Sequence, residues 1–268
     1  MTLLCRSVSF SYNGRLVLED ISFEVEKGTF CAILGRNGSG KTTLLHCLNG
    51  ILKPDRGCIS LDGMDLGSVS QAQIARQVSM VPQEHTDIFP FSVIDFVVMG
   101  RTPFLKMMAS PGPEDYRMAL DALHTLNAGF LAERNYNQIS GGERQIALLA
   151  RALLQSSATV LLDEPTNHLD FNHRYRMLDR MKRLCKDRNA RIIATMHDPN
   201  LALLFSDQVV MLKNGRIVAQ GKTEEVMTGF NVSELYDART QKIGLSDSVK
   251  IFLPADIASQ DQDREPLP

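Results

Sequence analysis

Hydrophobic and polar positions alternate near the start of the chain and give way to short apolar runs further along. Residues 21–25 alternate with a period of two, as a half-buried strand does. Residues 30–34 are apolar almost throughout, the pattern of a strand buried on both faces. Similar runs lie at residues 159–162, 192–195 and 209–212, and helical stretches separate them. This order predicts βαβ crossovers around a largely parallel sheet.

The period lengthens to that of a helix between about residues 85 and 155. Over residues 143–154, apolar side chains recur at i, i+3, i+4 and i+7, which predicts one buried helical face. Residues 114–126 are predicted to form another helix. Strands at 8–12 and 21–25, joined by a turn, precede the core. The pattern therefore predicts an α/β domain with an N-terminal antiparallel β subdomain and an inserted helical subdomain.

Composition narrows the classes of function. The chain has 268 residues, enough for one large domain with a subdomain, and a net charge of -2 argues against a nucleic-acid partner. The 5 cysteines show no C-x-x-C pairing, and the histidines lack the spacing of a structural zinc site. No apolar segment resembles a signal peptide or a membrane span. We therefore expect a soluble cytoplasmic protein, with a polar, disordered tail from about residue 255.

A glycine-rich loop follows the apolar strand at 30–34. Residues 35–42 read G-x-x-x-x-G-K-T, between a predicted strand and a predicted helix. Glycines let backbone N–H groups crowd round phosphates, and the helix N-terminus adds a favourable dipole. Lys41 is predicted to reach the β- and γ-phosphates, and the Thr42 hydroxyl to reach Mg²⁺. The loop alone leaves an ATPase, a GTPase and a kinase open.

Two carboxylates stand at the end of the strand at 159–162. Asp163 and Glu164 follow it directly, and ligands of α/β sheets bind at the carboxyl ends of strands. Adjacent acids allow a division of roles. We expect Asp163 to organise the Mg²⁺ shell and Glu164 to polarise an attacking water.

A second glycine-rich loop, Ser140-Gly141-Gly142-Glu143, opens the helix at 143–154. The Ser140 hydroxyl and the glycine N–H groups can bind a γ-phosphate at that helix N-terminus. Within one chain this loop is a second anion site without a nucleotide of its own. We infer that it serves a nucleotide held by another copy.

Three further residues have open interpretations when each is taken alone. His197 ends a strand, where a histidine is either structural or a hydrogen-bond donor to a phosphate. Gln83 lies on a loop after a strand and is either an exposed polar residue or part of the site. Tyr12 is either a half-buried strand tyrosine or a platform for a base.

Together these residues resemble the ATP-binding cassette (ABC) ATPases over roughly residues 3–235. The resemblance implies an α/β fold: a P-loop NTPase core sheet with an N-terminal antiparallel β subdomain and an inserted helical (signature) subdomain. The motifs stand in the family's order: the A-loop aromatic (Tyr12), Walker A (35–42), the Q-loop (Gln83), the signature (140–143), Walker B (160–164), the D-loop (166–170) and the switch histidine (His197).

The resemblance also implies the roles of residues. Glu164 would be the general base, His197 the γ-phosphate sensor and Gln83 a third catalytic residue. The Mg²⁺ ligands implied are Thr42, Gln83 and Asp163. The residues implied to bind ATP are Tyr12, Gly35, Asn37, Gly38, Ser39, Gly40, Lys41, Thr42, Thr43, Ser140, Gly141 and Gly142.

The signature departs from the family pattern at two positions. Ile139 stands where leucine is usual, and Glu143 stands where glutamine is usual. A carboxylate at Glu143 adds negative charge beside a phosphate site. We therefore assign the phosphate contact to Ser140 and the two glycines.

The resemblance implies a head-to-tail dimer that sandwiches two ATP molecules. Each ATP would lie between Walker A of one subunit and the signature loop of the other. Residues 1–235 would form the ATPase domain, and 236–268 a C-terminal extension of strand and tail. The subunit would act at the cytoplasmic face of the inner membrane, beside a separate permease and, indirectly, a substrate-binding protein.

Residues 81–103 and 197–202 look like those of importers of iron-siderophores, haem, cobalamin and related metal compounds. In such importers the region after the Q-loop forms a groove for a coupling helix of the permease. We expect Phe91, Met99 and Arg101 to lie near this groove. Two alternatives stay open: the ATPase subunit of an exporter, and a soluble cassette ATPase of translation or DNA repair.

Overall fold

The structure is a computed structural model that describes residues 1–83, 91–106, 108–156, 158–167, 169–244 and 250–255. Three parts of the sequence interpretation lie outside these ranges: residues 84–90 of the importer-like segment, His168 of the D-loop, and the tail after residue 255.

The described residues form strands and helices in the order that the sequence predicts. The strands are β1 (Thr2–Tyr12), β2 (Arg15–Glu26), β3 (Phe30–Leu34), β4 (Arg56–Leu61), β5 (Met64–Asp65), β6 (Val78–Val81), β7 (Thr159–Leu162), β8 (Arg191–Met196), β9 (Gln208–Lys213), β10 (Arg216–Lys222), β11 (Thr240–Gly244) and β12 (Lys250–Pro254). The helices are α1 (Lys41–Leu48), α2 (Gln71–Ala75), α3 (Val93–Val98), α4 (Pro113–Thr125), α5 (Gly141–Gln155), α6 (Phe171–Arg188), α7 (Pro199–Phe205), α8 (Thr223–Val226) and α9 (Gly229–Tyr236). Short 3-10 helices lie at Met99–Phe104, Gly129–Leu131 and Tyr136–Gln138.

The core sheet has the strand order β10-β9-β3-β8-β7-β6. All neighbours within it are parallel except β9 and β10, which form a hairpin. The strand β3 lies between β8 and β9, which come more than 150 residues later in the sequence. Helical crossovers therefore connect β3 to its partners. The predicted parallel core is confirmed.

Both faces of this sheet are buried, as the apolar run of β3 predicts. Phe30, Ala32 and Leu34 pack into the core that contains α3–α6. Cys31 and Ile33 point the other way, into a core shared with α1 and the antiparallel sheet β2-β1-β4-β5. The alternation of side chains along a strand therefore places one residue set in each core.

A fully buried arginine connects the two sheets. Arg191, the first residue of β8, donates from Nε to the Val25 carbonyl at 2.9 Å and from Nη1 to Thr159 Oγ1 at 2.8 Å. Its Nη2 lies 3.0 Å from Asp62 Oδ1 and 3.0 Å from the Met1 carbonyl. The buried charge is thus paired and hydrogen-bonded, as burial of a guanidinium requires.

Helices α3, α4 and α5 pack together as the inserted helical subdomain. Phe96 of α3 stacks on Tyr136 with ring centroids 4.3 Å apart. The Arg151 guanidinium of α5 lies over the Phe96 ring, 4.6 Å from its centroid. These contacts anchor the helix that the signature loop opens.

Candidate active site

The predicted site residues follow four neighbouring strands of the core sheet. Gly35 follows β3, Gln83 lies two residues after β6, Asp163 follows β7 and His197 follows β8. Since parallel strands end at the same edge, the topology brings these residues to one side of the sheet.

The phosphate loop needs glycine at two positions for reasons visible in the structure. Gly40, the N-cap of α1, has φ +104°, and a Cβ there would meet Leu18 Cδ2 at 2.9 Å. A Cβ on Gly35 would stand 2.4 Å from the Leu212 carbonyl oxygen. The β9–β10 hairpin also fastens the loop, because the Gly215 N–H donates to the Ser39 carbonyl at 3.1 Å.

Lys41 is buried at the base of this loop, with 4% of its surface exposed. Its Nζ donates to the carbonyls of Gly35 at 2.9 Å and Arg36 at 3.2 Å. The same Nζ lies 3.4 Å from Glu164 Oε1. One ammonium group therefore links the phosphate loop to the acid at the end of β7.

Glu164 is held from several sides. Its φ of +46° places a non-glycine residue in the left-handed region, which costs on the order of 1–3 kcal/mol. Oε2 accepts from Gln83 Nε2 at 3.1 Å and from Asn167 Nδ2. The structure thus brings Lys41, Gln83 and Glu164, all predicted from the sequence, into one hydrogen-bonded network.

Thr195 connects the two acids and was not predicted as a site residue. Its buried Oγ1 donates to Asp163 Oδ1 at 2.7 Å and accepts from the Glu164 N–H at 2.8 Å. The signal in the sequence is a lone hydroxyl among apolar residues at the carboxyl end of β8. Asn167, which contacts Glu164, was predicted only as part of the D-loop.

The signature loop caps α5. Ser140 is the N-cap, and its Oγ accepts from the Glu143 N–H at 3.3 Å. Glu143 Oε2 in turn accepts from the Ser140 N–H at 2.9 Å and from the Ser140 hydroxyl at 2.8 Å, which completes a capping box. The Ser140 N–H, followed by its hydroxyl, holds the pKa of Glu143 below its usual range.

The glutamate that departs from the family pattern therefore has a structural role. Its other oxygen lies 3.4 Å from Arg134 Nη1, which offsets part of the added charge. Gly141 leaves open space, since a Cβ there would meet nothing within 4 Å. The exposed face of the loop is formed by Ser140 and Gly141.

The two glycine-rich loops are separate within one chain. Among the described residues, no hydrogen bond or ion pair joins residues 35–42 to residues 140–143. The signature loop instead borders a cavity of about 300 Å³ with His173 and Arg180 of α6. A Cβ on Gly142 would lie 3.5 Å from His173.

His197 and Tyr12 lie at the edges of the site. His197 is exposed at the end of β8, and its carbonyl accepts from the Tyr236 hydroxyl at 2.7 Å. Tyr12 is 45% exposed and meets Phe10 edge-to-face, with centroids 4.8 Å apart. It pairs with Arg15 at the turn end of the β1–β2 hairpin.

The residues predicted near a permease groove lie around α3. Phe91 precedes the helix and is 38% exposed, and Met99 follows it and is 37% exposed. Arg101 pairs with Asp115 at 2.8 Å and lies over the Phe104 ring, 4.4 Å from its centroid. The groove itself stays a prediction.

The phosphate loop follows the central parallel strand β3, and the carboxylate pair follows β7, two strands away in the sheet. This arrangement defines a nucleotide-hydrolysing P-loop protein. Residues 18–167 match the ABC transporter family. The chain belongs to this family and is one of its ATP-binding ATPases. Among the described residues, every helix is too short or too polar to cross a bilayer.

Curated relatives and solved structures are similar over most of the chain. It is 38% identical to a probable iron chelatin transport ATP-binding protein of Helicobacter pylori J99, covering 94% of this chain and 99% of that one. It is 38% identical to a hemin import ATP-binding protein of Thermobifida fusca, covering 88% and 82%. An inward-facing ABC transporter described as of the metal-chelate type gives a TM-score of 0.84 at 31% identity, covering 94% and 97%. A bacterial ABC cassette solved as a dimer gives 0.71 at 25% identity, covering 83% and 99%.

Proposed function

We propose that this chain is the ATP-hydrolysing subunit of an importer for iron chelates, haem, cobalamin or a related metal compound. The observation that carries the ATPase role is the network of Lys41, Glu164 and Gln83 at the sheet edge. The cargo class rests on the names of the relatives, which include iron chelatin transport and hemin import.

The residues of the site suit hydrolysis of a γ-phosphate. Lys41 and the loop N–H groups bind the phosphates, where α1 presents its N-terminus. Glu164 accepts a proton from water as the water oxygen bonds to the γ-phosphorus, and the bond to the β-phosphate oxygen breaks to leave ADP. His197 donates a hydrogen bond to the γ-phosphate and so holds the reacting geometry.

The donors present fit a magnesium ion. The Thr42 hydroxyl, the Asp163 carboxylate and the Gln83 amide offer oxygen ligands, which Mg²⁺ prefers. Thr195 fixes one Asp163 oxygen through a 2.7 Å hydrogen bond and so orients the carboxylate. When bound, the ion neutralises charge that develops on the phosphates.

A second copy completes each site in this proposal. Ser140 and Gly141 present an exposed helix N-terminus, and a Cβ on Gly141 would meet nothing within 4 Å. A head-to-tail pair places that surface against the partner's ATP. In this proposal, permease subunits receive the resulting movement near Phe91, Met99 and Arg101, and the subunit acts at the cytoplasmic face of the inner membrane.

Transport by the purified complex tests the proposal. The chain is co-expressed with candidate permeases of its own genome. The complex that co-purifies is reconstituted in vesicles and supplied with ATP and a panel of labelled metal chelates, each with its binding protein. We expect ATP-dependent transport of one chelate in the import direction, absent from vesicles that carry Glu164→Gln. Transport in the opposite direction would indicate an exporter, and the absence of any co-purifying permease would indicate a soluble ATPase.

A further inference from the structure

The segment that follows the core sheet contacts the switch histidine directly. It consists of α9, β11 and β12, which we call the C-terminal unit. The Tyr236 hydroxyl, at the end of α9, donates to the His197 carbonyl at 2.7 Å. Tyr236 is partly buried, whereas His197 is exposed.

The same unit fixes the helix that follows His197. Asp198 caps α7, and its Oδ1 accepts from the Asn200 N–H at 2.8 Å. Asn200 then pairs with the backbone of Phe252 in β12. Its Nδ2 donates to the Phe252 carbonyl at 3.1 Å, and the Phe252 N–H donates to its Oδ1 at 2.6 Å. The turn of residues 197–200 is therefore bound on two sides by the C-terminal unit.

The same end of α9 is also attached beside the phosphate loop. Lys213, the last residue of β9, donates to the Glu234 carbonyl at 2.6 Å and lies 2.5 Å from Asp237 Oδ1. Asp237 also lies 3.2 Å from Arg36 of the phosphate loop. That last pair is more than half exposed and contributes little by itself, so the partly buried Lys213 carries this attachment.

We propose that Tyr236 is a positioning residue for His197, and that the C-terminal unit sets the switch turn relative to the phosphate loop. This inference rests on the proposed role of His197 in ATP hydrolysis.

The reason is that the His197 side chain has little else to hold it. It is exposed, and its ring makes no hydrogen bond among the described residues. Its position therefore depends on its own backbone. A hydrogen bond to its carbonyl orients the peptide that joins it to Asp198. Burial, and then the Asp198 carboxylate, raise the pKa of the Tyr236 phenol, so that the hydroxyl stays protonated and donates.

Removal of this single hydroxyl is the test. In purified full-length protein with Tyr236→Phe, we expect kcat for ATP hydrolysis to fall about fivefold, in line with the loss of one net hydrogen bond. The KM for ATP should stay at the parental value, and the midpoint of thermal unfolding should fall no further than in Tyr116→Phe, because the ring and its packing are kept. Tyr116→Phe is the matched control, since it removes a hydroxyl bonded to Asp95 at 3.0 Å on α4.

A spectroscopic measurement separates positioning from a general structural effect. In protein labelled with ¹³C-histidine, the His197 Cε1–H resonance is assigned by its loss in His197→Gln. We expect Tyr236→Phe to shift that resonance and Tyr116→Phe to leave it in place.

Three results overturn the inference: a parental kcat in Tyr236→Phe, a lower kcat with an unshifted His197 resonance, or an equal loss in Tyr116→Phe. If the parental protein hydrolyses no ATP, the proposed function fails. The resonance then decides the inference alone: a shift in Tyr236→Phe shows that Tyr236 positions His197, and an unshifted resonance overturns it.

Discussion

Glu164 combines a left-handed backbone with three polar contacts to its side chain. Lys41, Gln83 and Asn167 all approach its carboxylate. Such a residue keeps its orientation only where neighbours over-determine it, which is typical of active sites. The carboxylate and the phosphate loop share one lysine, so the acid and the phosphates would meet at the same ammonium group.

Replacement of this carboxylate should separate binding from turnover. Glu164→Gln keeps the size and the hydrogen-bonding oxygen but removes the proton acceptor. We expect ATP affinity to stay near the parental value while phosphate release slows by about a hundredfold or more. Nucleotide titration and a phosphate-release assay measure the two quantities. Glu114→Gln, on the surface of α4, is the control. Hydrolysis by Glu164→Gln at the parental rate would show that Glu164 is not the general base.

Replacement of the lysine should act on binding instead. Lys41→Ala removes the charge that we expect to contact the phosphates, and we expect ATP affinity to fall by about tenfold to a hundredfold, as for hydrogen bonds to charged groups. Isothermal titration with ATP measures this change. Lys182→Ala on α6 should bind like the parent. An unchanged affinity in Lys41→Ala would contradict the phosphate-loop assignment.

Strand ends, rather than single residues, set the geometry of the acid pair. β7 supplies Asp163 and Glu164, and its neighbour β8 supplies Thr195, whose hydroxyl bridges them. The orientation of the acids therefore depends on the register between two parallel strands.

Thr195→Val tests this dependence. It keeps the shape of the side chain but leaves Asp163 Oδ1 and the Glu164 N–H without this partner, at a cost of about 1–3 kcal/mol in unfolding free energy. We expect slower ATP turnover as well. Ser79→Ala is the control, because it removes another buried hydroxyl of the same sheet, bonded to the Ser156 carbonyl at 3.1 Å. If both variants lose stability equally and turnover stays parental, the bridge has no role in the site.

The elements that the sequence predicted well carry strong local signals. β3 and β7 match the predicted bounds because their apolar runs end at a glycine or an acid. β1 begins at Thr2, six residues before the prediction, because an irregularity in register between Cys5 and Val8, with Ser7 at φ +48°, breaks its alternation. Periodicity alone could not identify that bulge.

The site residues likewise divide into those with a strong local sequence signal and those without one. Lys41 and Glu164 belong to contiguous motifs, so spacing along the chain identifies them. Asn167 contacts Glu164 from three positions away, inside the D-loop. Thr195 and Tyr236 act through contacts between segments distant in sequence, such as the 39 positions between Tyr236 and His197. Their roles follow from tertiary packing and leave no local pattern.

At the scale of the whole molecule, the proposed head-to-tail dimer requires each chain to contribute two half-sites on separate surfaces. A protein with Lys41→Ala lacks one half, and a protein with Ser140→Arg lacks the other. We expect Ser140→Arg to bind ATP without hydrolysing it, because the arginine would obstruct the surface that meets the partner's nucleotide.

A mixture of these two inactive variants should regain ATPase activity. In a head-to-tail mixed dimer one interface holds both defects and the other holds neither, so an intact site appears. Phosphate release from an equimolar mixture, compared with each variant alone, measures this recovery. A mixture as inactive as its components would argue against shared sites, provided that light scattering shows mixed dimers.

The position of β3 in the middle of the core sheet has a consequence for biosynthesis. Its only sheet partners among the described strands are β8 and β9, which begin at Arg191 and Gln208. A nascent chain that has not yet exposed these strands has its phosphate loop on an unpaired strand. Arg191, which joins the N-terminal sheet to the core, also emerges late. The loop leaves the ribosome well before β8 and β9, so its supporting sheet forms only after Lys213, the end of β9, has been made.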